Sequence, residues 1–355
     1  MKRLDLLRYF LPIRKKLDGV EDELQRLLSS DVAVVEKLAS HIRGGKGKRL
    51  RPALVLLSSR FMQVESELDV RFGAIFELIH TATLVHDDVI DHASTRRGKP
   101  TLNKVWGNTL TVLFGDLLYI HAMGSAIEGR DWRLMEILAE VTTRMIEGEL
   151  IQNDVLFRID TTRKDYFDIQ ERKTALLFAG CTETGAVLAG RSKEDCAAMH
   201  AYGLEIGRAF QLTDDLLDFT ATSEQLGKPA FSDLREGKLT LPMLTLMERA
   251  PEAKPIVQRI WDRGEAEAGA EGHFAEGEAQ RARPMEGSRE AAAILPEDEA
   301  LLRDLLHRHH ALEETQDLAK QANAAATKAI QDLEGESNAK NLLLDIPAVL
   351  LKRGT

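Results

Sequence analysis

Cysteine is nearly absent from this chain. Cys181 and Cys196 are the only two in 355 residues, too few for a disulfide framework, and both fall in ordinary helical pattern. Aromatic residues make up 5% and proline contributes only ten positions, a composition that favours an all-α protein. Basic residues are outnumbered, 47 Lys and Arg against 57 Asp and Glu, for a formal net charge of −10. That balance argues against a nucleic-acid surface, although a local basic patch can still hold a small anion. No run approaches the ~18 consecutive apolar residues of a membrane span, so no transmembrane segment is expected. Ala and Leu are abundant, and apolar residues recur at helical spacing almost everywhere. The expected class is all-α, with length enough for one large domain or two small ones.

Helical periodicity runs from Asp5 to Ile42 and breaks at Gly44-Gly45-Lys46-Gly47. The stretch Met1 to Leu17 mixes Lys and Arg with Leu and reads as a plain first helix; Asp5 and the lack of a cleavage pattern disfavour a targeting peptide. A helix resumes around Pro52, a residue suited to a first turn. Leu68 to Ile90 is one long apolar helix, followed by a polar, turn-rich loop from His92 to Gly107. Further helices are expected at Thr109–Ile127, Trp132–Gln152, Tyr166–Leu188, Lys193–Phe219, Leu241–Asp262, Pro296–Leu333 and Asn341–Leu351, with a loop from Thr222 to Lys238. Gly264 to Glu297 is rich in Glu, Ala, Gly and Arg and poor in large apolar residues. It reads as a mobile insertion or a loosely attached helix.

The informative feature is a duplicated acidic motif. Asp87-Asp88-Val89-Ile90-Asp91 and Asp214-Asp215-Leu216-Leu217-Asp218 each end an otherwise apolar stretch. Carboxylates among leucines are costly unless something cationic holds them. Positions i and i+4 share a helix face, so Asp87 pairs with Asp91 and Asp214 with Asp218. Two such helices facing each other form an oxygen cage for a hard divalent cation. Mg²⁺ is the expected ion, because it takes a few carboxylates plus waters and phosphate oxygens.

Cations accompany both motifs. Gly47-Lys48-Arg49-Leu50-Arg51-Pro52 leads three of them into a helix N-terminus, where backbone amides and the helix dipole favour phosphate. Arg96-Arg97-Gly98-Lys99-Pro100-Thr101 follows the first acidic motif closely. Lys173-Thr174, Lys228 and Lys238 add counter-charges, the last two from the loop after the second motif. Each alone reads as a surface residue; together they suit a metal-bound diphosphate. His80 lies seven residues before Asp87 on nearly the same face and is a candidate diphosphate donor. His86 reads equally as a partner of the cage or as a core histidine. His307-Arg308-His309-His310 reads as a solvated helix face. No Walker loop, Rossmann glycine pattern or Ser/His/Asp triad occurs.

In this order, these motifs resemble those of the trans-polyprenyl diphosphate synthases, over roughly Asp5 to Met247. The run from His80 to Asp91, Gln211-Leu212-Thr213 before the second motif, and Gly227-Lys228 with Asp233 to Lys238 belong to the same likeness. The resemblance implies an isoprenoid synthase-type helical bundle around a deep central cavity, one synthase domain over 1–355, acting as a cytoplasmic homodimer. It implies that Asp87, Asp91 and Asp214 ligate Mg²⁺ with Asp88, Asp215 and Asp218 in support. Arg96, Lys173, Lys228 and Lys238 would hold the allylic diphosphate. Lys48, Arg51, His80 and Arg97 would hold isopentenyl diphosphate, and Thr174 and Gln211 would flank the reacting carbons. Lys46 stands where the family usually has a second glycine, and the Gly264–Glu297 segment departs from the family's compact helices.

The implied reaction is metal-assisted ionisation of an allylic diphosphate, attack by the isopentenyl double bond and loss of a proton. A class I terpene cyclase also ionises diphosphates, but needs no second diphosphate site at Lys48 and Arg51. A non-catalytic partner subunit is disfavoured because all six aspartates are present. Ala82 and Thr83 lie about one turn below Asp87, where short-chain relatives carry an aromatic residue. Both are small here. Further obstructions are expected near Ile79, Phe76 and Ile75, the last about 18 Å below Asp87, with Phe114 or Leu118 as a deeper floor. Products longer than geranylgeranyl diphosphate are therefore expected, and the resemblance implies the heptaprenyl to decaprenyl range.

Overall fold

The computed structural model describes residues 9–43, 47–96, 98–221, 229–271 and 292–351. Arg97 and Lys228 fall outside these ranges, as does most of the segment read as an insertion. The described residues are helical almost throughout. Their only strands form a two-residue hairpin, Thr95–Arg96 against Lys99–Pro100.

The first expected helix is two: α1 (Arg14–Leu28) and α2 (Ala33–Arg43), separated where Ser29 turns to extended backbone. Next come α3 (Leu50–Phe61) and α4 (Leu68–Ile90). The loop expected from His92 to Gly107 holds the hairpin and a short helix α5 (Leu102–Trp106). The helices α6 (Asn108–Glu128) and α7 (Trp132–Val155) follow, with Asp131 capping α7 by accepting from Leu134 N (3.1 Å). Such caps satisfy amides that have no partner within the helix.

The stretch expected as one helix from Tyr166 is α8 (Arg163–Gln170), a π turn (Glu171–Ala175) and α9 (Leu176–Leu188). Thr162 and Asp165 form a reciprocal capping box at its start. The longest helix, α10 (Lys193–Thr220), is capped by Ser192 and ends just past the second acidic motif. After it come α11 (Ser232–Arg235), α12 (Leu241–Arg249) and α13 (Ala253–Glu271). The break between α12 and α13 falls at Ala250, whose backbone leaves the helical region (φ −132°, ψ 83°) before Pro251, a residue that disfavours helix at the position preceding it. The chain closes with α14 (Pro296–Arg308), α15 (Ala311–Ile330) and α16 (Ser337–Leu351). The helix expected to run through His309 and His310 instead breaks there. His310 is left-handed (φ 50°), and Arg249 Nη1 donates to the His309 and His310 carbonyls (2.8 and 3.0 Å).

Helix α10 sits between α9 and α15, while α4 packs on α6, α3 and α1. Helix α3 is buried almost throughout, because α4, α9 and α16 all pack on it. Two apolar cores result. The larger gathers α1, α3, α4, α6, α7 and α9, and the smaller gathers the C-terminal helices around Phe231 and Trp261. At the expected insertion, the ends are seated. Gly264 lies against Ala292, and Ala292 N donates to the Arg235 carbonyl (2.9 Å). Helix α6 is apolar and long enough to cross a membrane by length and composition alone, which core helices also satisfy, and 39% of its most apolar window is buried here.

Candidate active site

Both acidic motifs end their helices. Asp87 lies in the last turn of α4 and Asp91 is its C-cap; the second motif occupies the last two turns of α10. The dipole of a helix disfavours anions at that end, so both motifs stand where local electrostatics oppose them. Asp87, Asp91 and Asp215 line one cavity of about 240 Å³, together with Lys173, Thr174, Gln211, Asp233 and Lys238. Helices α4, α10 and α11, the π turn and the loop after α11 therefore bring together residues far apart in sequence.

The π turn positions two of these residues. It carries Lys173 and Thr174 in a bulge that regular α-helix would not allow, a device common at functional sites. Glycines permit it on both flanks. A Cβ on Gly148 of α7 would fall 2.8 Å from Arg172 Cβ and 2.9 Å from Lys173 Cγ. A Cβ on Gly207 of α10 would fall 2.5 Å from Ala175 Cα. The Lys173 ammonium pairs with Glu149 of α7. The Thr174 hydroxyl donates to Gln211 Oε1 (3.0 Å), and Gln211 Nε2 donates to Asp215 Oδ1 (2.8 Å). The other oxygen of Asp215 accepts from the buried Tyr166 hydroxyl (2.5 Å).

The remaining aspartates organise their surroundings. Asp88 is buried and accepts from Arg96 Nε (2.7 Å), so Arg96 braces the first motif. Asp218 accepts from the amides of Ser232 (3.1 Å) and Asp233 (3.2 Å), and its carbonyl accepts from Phe231 N (3.1 Å). That anchors α11 to the end of α10. The following loop rests on Phe157, whose amide donates to the Gly237 carbonyl (2.9 Å). Gly237 adopts φ 80°, with the Phe157 ring where a Cβ would stand. The loop thus delivers Lys238 to Glu236 (2.9 Å) and Asp91 (3.2 Å). Asp214 is half-buried and outside the cavity lining.

Charge in this cavity is unbalanced toward acid. Burial, reinforced by Glu149, pushes the Asp87 carboxyl up to about 7. Burial, reinforced by Asp233, pushes Asp215 up to about 8. Burial opposes the Lys238 charge, but Glu236, Asp91 and Asp233 raise its pKa nonetheless. Among the described residues, no three His, Cys, Asp or Glu side chains form a ready metal cage. Carboxylates that line a cavity and face like charges still fit a hard divalent cation whose other ligands are waters and phosphate oxygens.

Among the described residues, the expected Lys48, Arg51, His80, Ala82 and Thr83 lie outside the cavity lining. Lys48 is exposed before α3, and the Arg51 guanidinium sits 5.1 Å from the Phe178 ring centre. His80 is half-buried on α4 and its carbonyl accepts from the Thr83 hydroxyl (2.8 Å). Ala82 is fully buried and Thr83 half-buried. Arg49, grouped above with the phosphate-facing cations, pairs with Glu21 and Glu77. His86 packs α4 on α6: its Nε2 lies 3.1 Å from the Val112 carbonyl, and its ring stacks with Tyr119 over Gly115. Glu149 and Tyr166 had no assigned role in the sequence reading, and Asp233 only a place in a motif. Tyr166 does precede Lys173 by two turns, a spacing that places the two on one face.

Opposed acidic helix ends and lysines around a cavity in an all-helical bundle define an isoprenoid synthase-type protein. Residues 32–273 match the family model described as Polyprenyl synthetase. Octaprenyl diphosphate synthase of Escherichia coli (strain K12) is 38% identical over 247 residues, 69% of this chain and 76% of that protein. Among solved structures, polyprenyl synthase from Caulobacter crescentus CB15, complexed with calcium and isoprenyl diphosphate, superposes with a TM-score of 0.84. It is 32% identical, over 99% of this chain and 98% of that one. A decaprenyl diphosphate synthase from Rhodobacter capsulatus gives a TM-score of 0.84 at 30% identity, over 99% of both chains. The chain belongs to the polyprenyl synthetase family and is a trans-polyprenyl diphosphate synthase, a prenyltransferase.

Proposed function

We propose that the chain condenses isopentenyl diphosphate head-to-tail with an allylic diphosphate to build a long-chain all-trans polyprenyl diphosphate. The observation that carries this reading is the shared cavity, where Asp87 and Asp91 meet Asp215, Lys173 and Lys238. Asp87, Asp91 and Asp214 would hold Mg²⁺, with Asp88, Asp215 and Asp218 in support. Magnesium held there would supply charge neutralisation to the diphosphate leaving group. Lys173 and Lys238 hold the same diphosphate with charge-assisted contacts, assisted by Arg96. Lys48, Arg51 and His80 hold isopentenyl diphosphate. The Thr174–Gln211 pair presents oxygen dipoles toward the cationic carbons. The departing diphosphate takes the proton released after attack. Asp87→Ala and Asp214→Ala test the assignment: each abolishes magnesium-dependent elongation while the protein stays folded by circular dichroism. Near-normal turnover in either variant overturns it.

The reading extends to one domain acting as a homodimer. Leu113, Ile120 and Ile127 recur every seventh residue on α6 and are exposed, Ile120 by 67%. Trp132 (84% exposed), Ile146 and Leu150 add an apolar face on α7. Exposed apolar surface of this extent is characteristic of an interface. Ile120→Arg is expected to shift the sedimenting species from dimer to monomer; an unchanged dimer places the interface elsewhere.

A further inference from the structure

Arg49 occupies the N-cap of α3 in the left-handed conformation (φ 51°, ψ 36°), a region disfavoured for a residue with a Cβ. Its carbonyl accepts from Ala53 N (3.0 Å), starting the helix. Its side chain bridges two other helices. Nε and Nη2 donate to the two oxygens of Glu21 on α1 (2.5 and 3.0 Å), and Nη1 donates to Glu77 Oε1 on α4 (2.8 Å). The Glu77 side chain is only 8% exposed. Glu77 precedes His80 by three residues, which puts both on one face of α4.

We propose that Arg49 is a positioning residue for the isopentenyl diphosphate site, acting through Glu77. This rests on the reading that Lys48, Arg51 and His80 form that site. Lys48 and Arg51 lie on the segment around α3's start, and His80 lies on α4. The Arg49–Glu77 bridge sets one relative to the other, and the Glu21 fork keeps the guanidinium in that plane. With its charge met by carboxylates, Arg49 stabilises the turn while its neighbours face the substrate. Lysine cannot reproduce this, because one ammonium lacks the planar fork that engages two carboxylates at once.

The test compares Arg49→Lys, Glu77→Gln and Arg51→Ala with the parent protein. Initial rates give the KM for each substrate, and calorimetry gives the Kd for isopentenyl diphosphate with no allylic substrate present. Arg49→Lys and Glu77→Gln are each expected to raise both the isopentenyl diphosphate KM and Kd about fivefold. The allylic KM should stay within about twofold. The double variant should add little to either single one, because both break the same bridge. Arg51→Ala should give the same selectivity with a larger effect. If Arg51→Ala is selective but Arg49→Lys and Glu77→Gln only lower the melting temperature, or affect both substrates equally, the positioning role is wrong and the site reading stands. If Arg51→Ala itself shows no selectivity, the site reading fails and the proposal falls with it.

Discussion

The Lys238 ammonium lies 3.2 Å from Asp91 Oδ1. The loop after the second acidic motif therefore closes onto the first, and Asp218 holds its start through the Ser232 and Asp233 amides. Lys238→Ala removes the cation that Asp91, Asp233 and Glu236 share. The allylic KM is expected to rise about tenfold or more, as for loss of a charge-assisted contact. Steady-state kinetics with the allylic substrate varied give the answer; an unchanged KM removes Lys238 from that site.

The raised carboxyls make a pH-dependent prediction. Asp87 and Asp215 titrate near about 7 and about 8 in the folded chain, against 3.8 for an ordinary aspartate. Between those values the folded state holds more protons than the unfolded one, so stability falls as pH rises through this window. Asp87→Asn removes one such group. In metal-free protein its melting temperature should exceed the parent's, by more at about pH 8 than at about pH 5. A difference that stays flat across that range contradicts the electrostatic account. Binding of a divalent cation near neutral pH should release protons, measurable by calorimetry in buffers of different ionisation enthalpy.

The π turn depends on close approach at Gly207. In Gly207→Ala the new Cβ meets the Ala175 backbone at 2.5 Å, which a flexible side chain cannot relieve. A stability loss of about 1–3 kcal/mol is expected. The turnover number should fall as well, because Lys173 and Thr174 shift with the turn. Denaturant titration beside kinetics separates the two effects, and a variant with normal stability and normal turnover shows that the bulge tolerates displacement.

Product length should respond to Thr83, which lies one turn before Asp87 and is half-buried. Thr83→Tyr is expected to shift products sharply toward farnesyl or geranylgeranyl diphosphate while catalysis continues. The same profile as the parent, read by chromatography, means the growing chain takes another route.

Much of this site was legible in the sequence, for physical reasons. Asp87, Asp91 and Asp215 announce themselves because charge at the end of a long apolar helix demands a counter-ion, whereas the pattern alone does not tell that Asp215 rather than Asp214 lines the cavity. Lys173-Thr174 is legible as a counter-charge to the acidic motifs, but the π turn that displays it leaves no periodic signature. Glu149 was not legible, since one acidic residue on an amphipathic helix looks the same whether it faces water or Lys173. Tyr166 likewise reads as core until the fold brings Asp215 to its hydroxyl. The helix break at His309 and His310 depends on Arg249, which lies on another helix, so the local pattern carries no trace of it. Arg49 was misread among its cationic neighbours because Glu21 and Glu77 are distant in sequence.

The central claim is that this chain alone elongates an allylic diphosphate. The direct measurement incubates the purified protein with farnesyl diphosphate, isopentenyl diphosphate and Mg²⁺, and separates the products by chain length. The account predicts linear all-trans products from heptaprenyl to decaprenyl diphosphate, lost when the metal is chelated. Cyclic hydrocarbons, or no turnover until a second protein is added, contradict it.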